Sequence, residues 1–551
     1  RMIRRPDLSS EYAAPGNEIE EKLAGIWQGF FGIDQVGIHD DFFELGGDSL
    51  QVMTITSHIQ KVLSIVIPIQ VFFARPTIKN LAGYITVSSE KDGHVFTAIE
   101  PVEEKEFYAL SSAQKRIYIL QQMDRSSTSY NQLRVENLNI EPETERIAET
   151  FRKLILRHKM MRTSFELIET EPIQKIHSPG EIEFAAEYYD ADGRNPQHII
   201  RNFVRPFDLC HPPLFRAGLI RIEAGEYILM VDLHHIISDG TSNVLFMNEF
   251  IRLYDGDELS PLKLQYKDFS EWQNSRRELG ELKKQEEYWI KEFAGGAPVL
   301  NLPFDYERPR VRSFVGDEIR FEISKDELEK LREIARFTDS TMFMVTLAVY
   351  NIFLSKISGR EDVVVGTVTA GRKHPGLQDI IGMFVNTLAL RNFPAGEKTF
   401  PVFLKEVRER TLNAFDNQDY QFEELVDVLK AGRDTGRNPL FDTVFTYRAE
   451  QRSQVEGTDK EQPDYSYEDT QSKFDLILLG IERGNLLIFI FIYDAGLFKR
   501  KTIERFAAYF REIIDAVTNN NAIGLSDISI SHDLGELRAD VYWGKESDFD
   551  F

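Results

Sequence analysis

Residues Tyr227–Phe250 read YILMVDLHHIISDGTSNVLFMNEF. The segment opens on a strand-like apolar run that ends in two histidines, His234 and His235, and a loop then leads through Asp239 and Gly240 into a helical pattern. Similar β-rich runs, EDVVVGTVTA from Glu361 and NLLIFIFIYD from Asn485, alternate with helical patterns over the rest of the chain from Tyr108. That alternation predicts a layered α/β architecture.

Upstream the pattern is different. In NEIEEKLAGIWQGFFGI, Ile19, Leu23, Ile26, Trp27 and Phe30 recur at helical spacing, and SLQVMTITSHIQKVL and TIKNLAGYI give two further short amphipathic helices. These make a compact helical bundle over residues 17–87, after the end of an upstream linker, 1–16. Residues 88–106 are polar, broken by glycine and proline, and predict a linker. The α/β region is too long for one core, so we expect two lobes, 107–280 and 281–533, with the seam in RRELGELKKQEEYW and a C-terminal tail at 534–551. A second acidic stretch, EQRSQVEGTDKEQPDYSYED, is expected as a surface excursion of the second lobe.

Composition sets limits on function. The 551 residues, 42% hydrophobic, can bury more than one core, and 65 basic against 89 acidic residues give a net charge of −24. Such a charge repels nucleic-acid phosphates and anionic lipid alike. The single cysteine, Cys210, excludes an internal disulfide and reads as packing, which suits a reducing cytoplasm. No run has the length of a membrane span, and the N-terminus lacks the apolar core of a signal peptide. The chain begins on arginine, as expected of a piece of a longer protein.

Two chemistries are open for the histidine pair. A His-His pair can be structural or part of a metal site, but H-E-x-x-H is absent and no third ligand stands at metal spacing. An imidazole on a loop can instead position or deprotonate an attacking amine. Asp239 is better suited to fixing the loop by pairing with an arginine, with Arg372 and Arg162 as the candidates, while Gly240 lets backbone approach substrate at a helix start.

A second motif lies in the bundle, FFELGGDSLQVM from Phe42. Gly47-Asp48-Ser49-Leu50 matches the tetrapeptide of GDSL hydrolases, but a helical bundle offers no sheet or triad to activate Ser49. Ser49 can cap the helix, a role Asp48 fills equally well. A hydroxyl at the positive end of a helix also favours a covalently attached phosphate ester.

DDFFELGGDSLQVM resembles the attachment motif of peptidyl carrier proteins, a resemblance that extends through RPTIKNLA. It implies 4′-phosphopantetheine on Ser49, its thiol carrying an aminoacyl or peptidyl thioester. The HHxxxDG segment resembles condensation domains of nonribosomal peptide synthetases, and further matches follow in that family's order: LSSAQKRIYIL from Leu110, RHKMMRTSF from Arg157, YKDFSEW from Tyr266, IGMFVNTLALR from Ile381, NQDYQFEEL from Asn417 and RDTGRNPLFDTVF from Arg433. The family fold implies two chloramphenicol-acetyltransferase-like lobes arranged as a V, with His235 in a tunnel between them. It implies amide formation by acyl transfer, without ATP or metal: the carrier holds the donor, and the acceptor amine comes from a downstream carrier.

The resemblance makes His235, Asp239, Gly240, His234 and Asn386 the candidate site residues, with His235 as base or positioner, His234 structural, and Asn386 a tunnel-lining hydrogen-bonder. Tyr266 and Trp272 read as core aromatics. The expected partners are upstream and downstream adenylation domains, an acceptor carrier and thioester substrates, with the chain a monomer and no nucleic acid or membrane. An epimerisation domain continues HHxxxD into Ser-Trp, whereas Ser242 is followed by Asn243. Cyclisation domains replace the histidines with aspartates. A noncatalytic scaffold and a free-standing acyltransferase using coenzyme A are the remaining alternatives.

Overall fold

The computed structural model describes residues 3–6, 8, 10–47, 51–63, 65–89, 99–138, 142–192, 195–223, 226–309, 315–430, 437–449 and 472–530. Ser49, residues 90–98 of the expected linker, the whole second acidic stretch, the first residues of the RDTGRN motif and the tail 534–551 lie outside the described residues. The bundle contains α1 (Glu18–Phe31), α2 (Gln51–Leu63), α3 (Ile69–Ala74) and α4 (Ile78–Ser89). Asn17 caps α1, accepting the Glu20 N–H at 2.9 Å, and Gly32 ends it in the left-handed region. Trp27, Phe31, Phe42 and Phe72 form its aromatic centre.

The first lobe comprises β1 (Tyr108–Ala109), α5 (Ser112–Met123), β2 (Asn131–Leu138), α6 (Thr144–Arg157), β3 (Thr163–Ile168), β4 (Glu171–Ile176), β5 (Glu187–Asp190), α7 (Gln197–Phe203), β6 (Phe215–Glu223), β7 (Glu226–His234), α8 (Gly240–Asp255) and α9 (Tyr266–Glu278). Its sheets run β2-β7-β6-β5 and β1-β4-β3. Strand β7 is central and buried from Ile228 to its end, which explains its apolar run from Tyr227 to Val231. Its last residue, His234, pairs with Asn131 of β2. The helix after it starts at Gly240, so the site loop is the turn between a buried strand and a long helix.

The second lobe comprises α10 (Lys283–Glu292), β8 (Gly316–Ile323), α11 (Lys325–Phe337), α12 (Met342–Ser358), β9 (Val363–Thr369), β10 (Asn386–Asn392), α13 (Phe400–Asp416), α14 (Phe422–Val428), β11 (Thr443–Ala449), β12 (Leu476–Arg483), β13 (Leu486–Asp494) and α15 (Arg500–Asn519). One sheet runs through it, β10-β9-β11-β12-β13-β8. Helix α12 is buried on every side from Phe343 to Leu354, and so carries no polar face. Among the described residues no single helix is long and apolar enough to cross a membrane.

Sequence order alone misplaces one segment. Leu377, Ile380, Ile381, Met383 and Phe384 lie between β9 and β10 of the second lobe, yet their side chains pack in the first lobe's core with Tyr266 and Phe269. Polar contacts add to this tie: Arg116 meets Glu423 at 3.2 Å, Ser112 meets Glu424 at 3.1 Å, and Arg276 meets Asp419 at 3.7 Å. The bundle rests on the second lobe's sequence: Gln378 donates to Ser57 Oγ at 3.1 Å, Lys61 lies 3.6 Å from Asp379, and Gln70 donates to Asn413 at 3.3 Å.

The crossing segment begins at Gly371, whose φ is +65° and where a Cβ would lie 1.8 Å from the Phe384 carbonyl oxygen. Both the dihedral and the space demand glycine. Gly371→Ala is expected to destabilise the protein by about 2 kcal/mol or more, measured by urea unfolding.

Candidate active site

The site loop is anchored at Asp239. This carboxylate caps α8 by accepting the Ser242 N–H at 2.7 Å, and its other oxygen accepts the Phe384 N–H at 3.0 Å. Arg372 completes the anchor, donating to Asp239 Oδ1 at 3.3 Å and to Ser242 Oγ at 2.6 Å. The same guanidinium donates to the carbonyls of Leu377 at 2.6 Å and Ile380 at 2.7 Å, and lies 4.0 Å from the Phe384 ring centroid. With Asp239 at 0% and Arg372 at 1% exposure, neither charge has water to fall back on. Ser242 closes the knot by donating to the Gly382 carbonyl at 2.8 Å.

Of the two arginines expected for Asp239, the structure therefore brings Arg372 to it. Arg162 is a correction: it donates to the His177 carbonyl at 2.5 Å, in the first lobe's hairpin region. Asn386 is a second correction. Its side-chain amide donates to the carbonyls of Gln418 and Tyr420 at 2.7 and 3.0 Å and accepts the N–H groups of Thr387 and Phe422. Buried and fully engaged, it braces the 418–422 turn instead of offering a group to a reactant.

The neighbouring histidines hold opposite tautomers. His235 Nδ1 lies 2.8 Å from the Ser238 carbonyl, and a carbonyl only accepts, so Nδ1 carries the proton and Nε2 keeps its lone pair. Burial, followed by the positive charge of Lys473, lowers the ring's pKa to about 4, so it is neutral at pH 7. His235 is only part-buried, and its own N–H donates to the Tyr130 carbonyl at 2.7 Å. His234 is fully buried; it accepts the Ile236 N–H on Nδ1 at 3.1 Å, which leaves Nε2–H to face Gln121 Oε1 at 3.3 Å. Gly240 opens α8 on the exposed side, where a Cβ would meet open space. Tyr266 donates to the Met383 carbonyl and its ring leaves no room for a side chain at Gly382.

Sequence reasoning missed Tyr130 and Lys473. Tyr130 acts through its backbone and carries no side-chain signal, while Lys473 reaches the site from the other lobe, with Nζ 4.3 Å from the Tyr130 ring centroid. At the bundle, Gly46 has φ +96° and Gly47 packs so closely on Phe42 that a Cβ would lie 2.2 Å from its ring. Ser49 itself lies outside the described residues; in sequence it falls between this glycine pair and Gln51, where α2 begins, and a helix N-terminus favours a phosphate ester.

Two consequences are measurable. Arg372→Met strands a buried carboxylate and is expected to cost roughly 3–5 kcal/mol in urea unfolding, with Asp239→Asn added to it recovering part of the loss. His235, with its pKa lowered from 6.5 to about 4, gives full stability above pH 6.5 and loses it as pH falls toward 4, because unfolding takes up a proton in that window. The fall amounts to roughly 2 kcal/mol at pH 5. His235→Gln is expected to flatten the stability profile between pH 7 and 5 by about that amount.

Comparison with known proteins agrees with this arrangement. Residues 104–536 match the Condensation domain family and residues 21–85 match the phosphopantetheine attachment site family. Tyrocidine synthase 3 of Brevibacillus parabrevis is 45% identical over 519 residues, 94% of this chain and 8% of that protein. Bacitracin synthase 3 of Bacillus licheniformis is 44% identical over 530 residues, 95% of this chain and 8% of that protein. The chain thus spans under a tenth of the length of these relatives. Among solved structures, the complex of the X-domain and OxyB from teicoplanin biosynthesis matches with a TM-score of 0.71 and 21% identity, over 80% of this chain and 100% of that one. The condensation domain from the Monacolin K polyketide synthase MokA matches with a TM-score of 0.66 and 19% identity, over 77% of this chain and 100% of that one. These two likenesses are of fold. A match over 104–536 that contains both lobes and the whole His235 loop, behind a matched carrier unit, makes the chain a member of the condensation domain family with a phosphopantetheine attachment domain before it.

Proposed function

We propose that this chain forms a peptide bond, transferring an aminoacyl or peptidyl group held as a thioester on its own Ser49 to the amine of an aminoacyl group on a downstream carrier. The observation that carries the reading is the His235–Ser238 hydrogen bond, which leaves Nε2 as a lone pair in a part-open site. When bound, phosphopantetheine supplies the thiol that activates the acyl group; Ser49 would hold it. The acceptor amine donates a hydrogen bond to Nε2 and is oriented toward the thioester carbonyl. As the N–C bond forms, the carbonyl π pair moves to oxygen and the nitrogen becomes positively charged and acidic. A ring with a pKa near 4 is too weak a base for a free amine, so His235 orients first and takes the proton after attack. Collapse of the intermediate breaks the C–S bond, and the proton goes with the sulfur.

Asp239 and Arg372 act through the loop and hold Ser238 where its carbonyl fixes the ring. Upstream and downstream adenylation domains and the acceptor carrier are the partners of this reading, in a reducing cytoplasm that suits a single cysteine. The test loads Ser49 with a synthetic aminoacyl-phosphopantetheine, adds an aminoacylated acceptor carrier and follows dipeptide on the acceptor by intact-protein mass spectrometry. His235→Ala is expected to slow transfer about 100-fold or more. Transfer at an unchanged rate in that variant, or none from the loaded wild type across several acceptors, contradicts the proposal.

A further inference from the structure

The motif LSSAQKRIYIL from Leu110 takes no part in the Asp239–Arg372 anchor, yet its helix folds against the histidine loop. Helix α5 buries two glutamines, Gln114 and Gln121, seven residues apart and therefore on one face, at 0% and 1% exposure. A carboxamide without water needs protein partners, and both of these have them. Gln114 closes the capping box of α5: its Oε1 accepts the Ser111 N–H at 3.2 Å, and Ser111 Oγ accepts the Gln114 N–H at 3.2 Å. That contact settles which way the amide points, and Nε2 donates to the Ile236 carbonyl at 3.2 Å. Gln121 is oriented in the same manner. Its Nε2 donates to the carbonyls of Asp124 at 3.4 Å and Ser127 at 3.3 Å, so Oε1 is the atom offered to His234 Nε2 at 3.3 Å. His234 Nδ1 is then the acceptor that meets the Ile236 N–H at 3.1 Å. Both polar groups of the Ile236 backbone are thus held from α5, the carbonyl directly and the N–H through His234.

His235 therefore stands between fixed points. Its own N–H is on the Tyr130 carbonyl, the next residue is pinned by α5, and Asp239 is tied to Arg372 at the far end of the turn. The direction of the ring follows from that backbone, because Nδ1 meets the Ser238 carbonyl at 2.8 Å only while the residues between them keep their shape. Resting on the amide-forming reading above, we propose that Gln114 is a positioning residue of the reaction: by holding the Ile236 carbonyl it keeps His235 Nδ1 on the Ser238 carbonyl, and so keeps Nε2 bare for the amine. It touches no reactant and neither gives nor takes a proton. Without its amide the Ile236 carbonyl is a buried acceptor that has lost its side-chain donor, and the turn relaxes to find another. Nδ1 then leaves the Ser238 carbonyl, the ring proton passes to Nε2, and the atom that receives the amine's hydrogen bond becomes a donor itself.

Two variants and a control test this. Gln114→Met keeps the length of the side chain and removes the amide, while Gln114→Asn is the milder change, its amide a methylene too short to serve Ser111 and Ile236 together. Leu331→Ala, at a position in α11 of the second lobe with 0% exposure, reports what lost stability does by itself. Single-turnover transfer from the loaded chain is followed at rising concentrations of loaded acceptor carrier, at a temperature where every variant is folded. Both Gln114 variants are expected to slow transfer at saturating acceptor by about 10- to 100-fold, with the half-saturating concentration unchanged, and Leu331→Ala to transfer like wild type. In 15N-histidine spectra of the unloaded chain at pH 7, His235 Nε2 is expected to move from the pyridine-type toward the pyrrole-type range in Gln114→Met. Transfer by Gln114→Met within about threefold of wild type overturns the proposal, as does an equal loss in Leu331→Ala or a slowed Gln114 variant with wild-type His235 shifts. A loaded wild type that makes no dipeptide overturns instead the amide-forming reading, and the spectra, which need no transfer, still decide whether Gln114 sets the ring.

Discussion

The buried Asp239–Arg372 pair is the constraint on which the site depends. Neither group has access to water, so each needs the other and the hydrogen bonds around them. Arg372 reaches four acceptors from two nitrogens, a geometry that a planar guanidinium suits and a lysine does not. The cost of separating the pair is what keeps the turn after β7 in one conformation.

From that anchor the geometry runs in short steps. Asp239 caps α8 and fixes where the helix begins, and the turn between His234 and Asp239 then has little freedom. Its Ser238 carbonyl meets His235 Nδ1, which selects the tautomer and bares Nε2. Because Arg372 and Phe384 come from the segment that crosses between lobes, the same contacts hold the imidazole and the lobes together. Gly371 and Gly382 are the points where that crossing needs backbone without side chains, against Phe384 and Tyr266.

Much of this was legible in sequence. The run from Tyr227 predicts strand β7, because a strand buried on both faces carries no polar alternation. Asp239 pairing with Arg372 was one of two readings, and only packing separates it from Arg162, since both arginines stand in polar contexts along the chain. Asn386 misled because a polar residue in a family motif reads as functional, whereas here it satisfies the backbone of a turn far away in sequence. The crossing of residues 377–384 into the other lobe's core leaves no local signal: an apolar run states that it is buried, not in which core. Helix α3, six residues long, is shorter than periodicity can resolve. Lys473 was invisible for a related reason, as its neighbours at the site come from residues more than 200 positions away.

The central claim is that the anchored loop keeps His235 neutral, protonated on Nδ1 and bare on Nε2. Long-range 1H–15N NMR of the chain carrying 15N-labelled histidine, with His235→Gln for assignment, reads this directly at pH 7. A pyrrole-type shift at Nδ1 and a pyridine-type shift at Nε2 are expected for His235, with the reverse assignment at His234. A charged ring at His235, or a proton on its Nε2, would contradict the account.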